Sequence, residues 1–170
     1  VVQLLDPLLD LSYPLLFLPA LLGGDLFLAR DQQVAHAAQH VAARGRPPST
    51  LYGAHLVTPD PSRPLTIVEG AIDTLARRAL LRLASAPAED VVGLPGTGAW
   101  RAALLPPCRG RAVYIATDAD AAGDSAAAAI AADVARAGGI PIRERPAAPA
   151  KDWGEVLERL ALRGDGSRAV

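Results

Sequence analysis

A chain of 170 residues, 51% hydrophobic and 21% charged, is long enough to bury one core with room for a small appendage. A formal net charge of −1 supplies no overall field toward nucleic acid, which excludes a simple coating role. It does not exclude a metal-dependent enzyme, whose cations bridge acidic groups to phosphates. The single cysteine, Cys108, excludes an internal disulfide framework and a four-cysteine zinc site, and a reducing cytoplasm is the expected compartment. Aromatic residues are only 4%, so Leu, Val, Ile and Ala must build the core. The absence of methionine predicts a segment of a longer protein.

In chain order, residues 1–50 stand apart as an unassigned N-terminal appendage. The uncharged run Leu11–Gly24 contains two prolines and falls short of the roughly 20 apolar residues of a spanning helix, so a buried packing segment is expected and no membrane partner. Residues 30–44 predict a modest helix with Val34, Ala38 and Val41 on one face, and Arg46–Thr50 reads as a linker. From Leu51 the pattern becomes regular. Leu65–Val68 is a β-branched run suited to a buried strand. Ala71–Ala86 places Ile72, Leu75, Ala76, Ala79, Leu80 and Leu83 at helical spacing, with Asp73, Arg77, Arg78 and Arg82 opposite.

Val91–Leu94 predicts a second strand, Gly96-Thr97-Gly98 a tight turn, and Ala99–Leu105 a short helix stopped by Pro106-Pro107. Arg111–Thr117 is a third strand. The loop DADAAGD leads into an Ala-rich helix over 125–137, then a fourth strand, Ile140–Arg145, and a helix over Trp153–Leu162 ended by Gly164. Strands alternating with helices imply βαβ units around a parallel sheet, whose ligands bind at the carboxyl ends of the strands. The expected class is therefore α/β.

Acidic residues cluster at those strand ends. Glu69 follows the first strand, with Gly70 allowing a sharp exit and Asp73 one turn later. Asp118 and Asp120 follow the third strand, and Asp152 precedes the last helix. Residues two apart in a loop can point the same way, so a D-x-D sets two carboxylates on one side. Hard cations such as Mg²⁺ take oxygen ligands, and a further carboxylate near a reacting hydroxyl can serve as general base or acid, a position Glu69 suits. Each acid also has a plain structural reading. Asp118 or Asp120 could cap a helix, Asp152 with Glu155 forms a capping-box pattern, and Asp73 could pair with Arg77.

The string V-E-G-A-I-D at Val68–Asp73, with D-A-D-A-A-G at Asp118–Gly123 about fifty residues on, resembles the TOPRIM domain. It is most similar to that of bacterial DnaG-type primases and their phage and plasmid relatives. Gly96-Thr97, Lys151-Asp152 and the Leu-Tyr-Gly of residues 51–53 extend the resemblance over residues 51–163. It implies a Rossmann-like TOPRIM fold over residues 51–165, with a central, mostly parallel four-stranded sheet flanked by helices; the partly helical N-terminal appendage of residues 1–50 lies outside the resemblance. It further implies Glu69, Asp118 and Asp120 as the catalytic set, with Glu69 as acid/base, and the same three as ligands of Mg²⁺ or Mn²⁺, with Asp73 and Asp152 as supporting acids at the metal. Gly70, Thr97, Arg101 and Lys151 are the expected substrate contacts.

The implied activity is primase-like nucleotidyl transfer, synthesising an RNA primer from nucleotide triphosphates on a single-stranded DNA template. A replicative helicase would be a partner through regions outside this segment. The pattern departs from the primases at Gly154, where many carry a second acid, and in lacking their zinc module. A TOPRIM nuclease using the same carboxylates, and a non-catalytic nucleic-acid-binding module, are the alternatives. A type IA topoisomerase fits less well, because DADAAGD replaces its usual acidic run. A haloacid-dehalogenase reading would leave Glu69 without a role. His36 and His40, spaced i, i+4, lack a third ligand other than distant His55. Arg101, Arg109 and Arg111 are candidates for phosphate contacts.

Overall fold

The computed structural model describes residues 50–95 and 98–165. The readings made on residues 1–49 (the Leu-rich run, the helix with His36 and His40, most of the linker) and on Gly96 and Thr97 lie outside the described residues. The described chain runs β1 (Leu65–Val68), α1 (Ala71–Leu83), β2 (Asp90–Gly93), β3 (Ala112–Ile115), α2 (Ala121–Arg136), β4 (Ile140–Arg143) and α3 (Trp153–Asp165). All four strands are parallel, in the order β2-β1-β3-β4. The expected α/β class and its four-stranded sheet are what the chain adopts.

Burial on both sides explains why β1 reads as an unbroken apolar run rather than an alternating one: all four of its residues are buried. Leu65 and Ile67 join Val113, Ile115, Ile130 and Val134 in a core under α2. Val68 instead joins Val91, Ala76, Ala116 and Trp153 under α1 and α3. From β1 the chain moves outward to β2, and from β3 it moves the opposite way to β4. Right-handed crossovers in opposite directions put α1 and α2 on opposite faces, leaving a crevice between β1 and β3 at their carboxyl ends.

Several boundaries differ from the sequence reading, for identifiable reasons. Helix α2 begins at Ala121, because Asp120 caps it by accepting a hydrogen bond from Gly123 N–H at 2.8 Å. Residues 121–124 are thus its first turn rather than a loop. The expected helix over 99–105 is a 3-10 turn, Ala102–Leu104. Strands β3 and β4 stop at Ile115 and Arg143, and α3 continues through Gly164. On α1 the expected faces are partly exchanged: Ile72 is 55% exposed and Asp73 only 9%. Helix α3 packs beside α1, so the surface facing it must satisfy the amino end of α3, and Asp73 does so.

The two rims of the sheet differ in how charge is managed. At the amino rim Asp90 is buried and fully partnered, accepting from Thr58 N–H and Oγ1 and from Arg111 Nη2 at 2.8 Å, with Arg63 Nε 2.9 Å away. Arg111 is 1% exposed and also donates to the carbonyls of Thr58, Arg63 and Pro64. It is a core cross-brace, which withdraws it from the candidate phosphate contacts. The outer strand β4 has Pro141 at its centre. Ile140 and Glu144 direct their N–H groups inward to Arg111 and Ile115, so the outward position at 141 carries no donor.

Candidate active site at the carboxyl rim

Gly70 leaves β1 with φ +120°, a region closed to side chains, and turns the chain at once into α1. Its carbonyl accepts from both the N–H and the hydroxyl of Thr74, which anchors the first turn. Glu69 is thereby set at the mouth of the crevice. Across it, the loop after β3 carries Asp118 and Asp120. Gly123 lets α2 approach this loop closely: a Cβ there would meet the Asp118 carbonyl at 2.2 Å. Thr117 Oγ1 donates to the Gly123 carbonyl at 2.8 Å, closing the same junction.

The sequence reading missed Arg143. From β4 it donates to the carbonyls of Ile115 (3.0 Å), Thr117 (2.9 Å) and Asp118 (2.9 Å), and to Asp124 Oδ1 (3.0 Å). One guanidinium therefore braces the backbone that presents Asp118. Arg77 does the comparable work beneath, holding Glu144 through two nitrogens and Glu89 through Nε, with its guanidinium 4.6 Å from the centre of the Trp153 ring. No motif marks Arg143; the available signal was a basic residue in an otherwise apolar strand.

Glu69, Asp118 and Asp120 lie near enough to perturb one another. Burial pushes the Glu69 carboxyl above its ordinary pKa, the negative charge of Asp118 adds to this, and the Asp118 N–H partly offsets it. Asp118 is raised by burial and then by Asp152. Asp120 is lowered, first by the Gly123 N–H and then by Lys151. Lys151 Nζ stands 3.0 Å from Asp120 Oδ2 and 3.9 Å from Asp118 Oδ2, and these contacts hold it protonated. The lysine brings its positive charge to the D-x-D pair.

Asp73 and Asp152 work mainly at the helix end. Asp73 Oδ1 accepts from the N–H groups of Trp153 (3.1 Å) and Gly154 (3.2 Å), and burial raises its pKa to about 6 against those two donors. It does not pair with Arg77. Asp152 Oδ1 accepts from Glu155 N–H at 2.7 Å, while Glu155 reaches back to Lys151 N–H at 3.1 Å, a capping box displaced by one residue. Arg101 and Arg109 are exposed, and Arg101 Nη1 donates only to the Trp100 carbonyl. His55 sits in a 3-10 turn, Ala54–Leu56.

The donor set fits a hard cation. Glu69 Oε1 is buried with no hydrogen-bond partner, and the D-x-D carboxylates already gather around one positive group. Among the described residues no group of three or more His, Cys, Asp or Glu side chains is placed so that it could hold an ion together, so the acids border one crevice without forming a cage.

A parallel sheet with acids at the carboxyl ends of its two central strands is the arrangement expected of the Toprim class. The sequence profile described as Toprim-like matches residues 66–157, more than half of the chain, and the chain belongs to that family. Toprim domains bind divalent metal ions such as Mg²⁺ and occur in nucleotidyl-transferring and nucleolytic enzymes. No curated protein matches the chain. Among the described residues no helix is long and apolar enough to cross a membrane.

Proposed function

We propose that this domain performs primase-like nucleotidyl transfer in the cytoplasm, as part of a larger replication protein acting on single-stranded DNA and nucleotide triphosphates. The observation that carries the reading is the buried, unpartnered Oε1 of Glu69 across the crevice from Asp118 and Asp120. A carboxylate kept short of partners and pushed up in pKa is suited to take a proton from a primer 3′-hydroxyl. Asp118 and Asp120 would hold Mg²⁺ or Mn²⁺, which when bound supplies charge neutralisation of the triphosphate. Lys151 would then turn its ammonium to the substrate phosphates. Gly70 would line the approach, with Arg101 as a further substrate contact; the role of Thr97 rests on the resemblance alone. Asp73 and Asp152 would support the centre by fixing the amino end of α3, next to the bend that carries Lys151.

The test is incubation of the parent protein with single-stranded DNA, labelled nucleotides and Mg²⁺. Extension products that vanish in Glu69→Gln support priming. Metal-dependent cleavage of the DNA without extension overturns it in favour of a nuclease. Retention of DNA binding with neither product assigns a non-catalytic module.

A further inference from the structure

The chain carries sixteen arginines and one lysine, and the lysine stands at the acidic centre. Lys151 Nζ lies 3.0 Å from Asp120 Oδ2 and 3.9 Å from Asp118 Oδ2. Its backbone is fixed from both sides. The Lys151 carbonyl accepts at 2.8 Å from the N–H of Ala119, the residue between the two aspartates, and the Lys151 N–H donates to Glu155 Oε2 at 3.1 Å. Ala150 before it and Trp153 beyond it are buried. The side chain, in contrast, is 55% exposed. A clamped backbone with an exposed four-carbon stem is a pivot: the ammonium can swing while its attachment to the D-x-D loop stays in place.

Lysine suits such a pivot better than arginine. A guanidinium fork grips carboxylates through two nitrogens, whereas an ammonium is a point charge that one contact can hold and release. An ion pair this exposed adds little stability, because water screens it. A divalent cation carries twice the charge and binds carboxylate oxygens directly, and it repels an ammonium drawn to the same pair. The arginines of this rim are engaged differently. Arg143 is held by the carbonyls of Ile115, Thr117 and Asp118, and Arg145 by Asp124.

We propose that Lys151 is a tethered counter-ion that competes with the divalent metal for Asp118 and Asp120, so that metal loading drives its ammonium off the pair and out toward the substrate. The lysine thereby lowers metal affinity until a phosphate is present to receive it. Metal and phosphate then favour each other's binding through one side chain. The proposal rests on the reading that the D-x-D pair holds the metal, and is indifferent to whether the reaction is transfer or cleavage.

The full chain, Lys151→Met and Lys151→Arg are titrated with MgCl₂ by calorimetry, without substrate. Lys151→Met should bind the ion about tenfold more tightly than the native chain, and Lys151→Arg several-fold more weakly, since its fork is harder to displace. A single lysine also gives a single lysine side-chain signal in the nuclear magnetic resonance spectrum of lysine-labelled native chain. That signal should shift and sharpen as Mg²⁺ saturates the protein. A signal unmoved at saturation, or a Lys151→Met chain that binds no more tightly, overturns the proposal. Equal affinity in the arginine and native chains also overturns it, because a fixed positive charge would then account for the effect. Absence of Mg²⁺ uptake by all three chains removes the metal centre itself, and the proposal with it.

Discussion

The sheet holds buried carboxylates at both ends, and the two ends treat them in opposite ways. Asp90, at the amino rim, receives two arginines and a threonine and is held below its ordinary pKa despite burial. Glu69 and Asp118, at the carboxyl rim, are raised by burial and then by a neighbouring carboxylate, Asp118 for the first and Asp152 for the second, and one Glu69 oxygen has no partner. A fold that can satisfy a buried acid so completely at one end leaves others under-satisfied at the other. The difference separates an acid whose partners stabilise the structure from under-satisfied acids, which is where the proposed chemistry would sit.

The strongest way to break this contrast is to remove one acid from each rim. Asp118→Ala should reduce Mg²⁺-dependent activity by on the order of a thousandfold, with a melting temperature equal to or above that of the native chain. Loss of fold in that variant, read by circular dichroism, would place Asp118 with the structural acids. Asp90→Ala should do the reverse, costing about 3–5 kcal/mol in urea unfolding, because Arg111 is left buried without its counter-charge.

A finer probe is Arg143, which touches the Asp118 backbone rather than any ligand. Arg143→Ala should weaken Mg²⁺ binding by about 10–100-fold in calorimetric titration, with Arg143→Lys restoring part of it. Equal metal affinity in both variants and the native chain would reduce Arg143 to a strand residue. The smallest effect concerns pH. Asp73 titrates at about 6 in the fold against 3.8 ordinarily, so its protonated form favours folding. That stabilisation is complete below 3.8 and is lost as pH rises through about 6. Asp73→Asn should remove about 1–2 kcal/mol of this slope, measured as unfolding free energy across that interval.

The parts of this architecture that follow from periodicity were legible in the sequence. Leu65–Val68 is an apolar run because both faces of β1 are covered, and strand–helix alternation was enough to give a parallel sheet. The acids could be placed at strand ends for the same reason. What escaped was whatever depended on contacts distant in sequence. Gly123 reads as a loop glycine, yet it lies inside α2 because the Asp118 carbonyl needs the space. Asp73 reads as a solvated helix residue, but a helix some eighty positions later ends against it. Arg111 reads as a candidate phosphate contact, yet it is buried among Thr58, Arg63 and Asp90, which come from separate segments.

Pro141 has a consequence for how this domain joins others. A parallel sheet can grow only where an outer strand offers a regular row of donors, and the imide ring interrupts that row on β4. On the opposite side, Tyr52 already bridges Gly93 at the end of β2. A partner approaching β4 would therefore meet side chains rather than a free ladder, and the register that holds β1 beside β3 stays undisturbed.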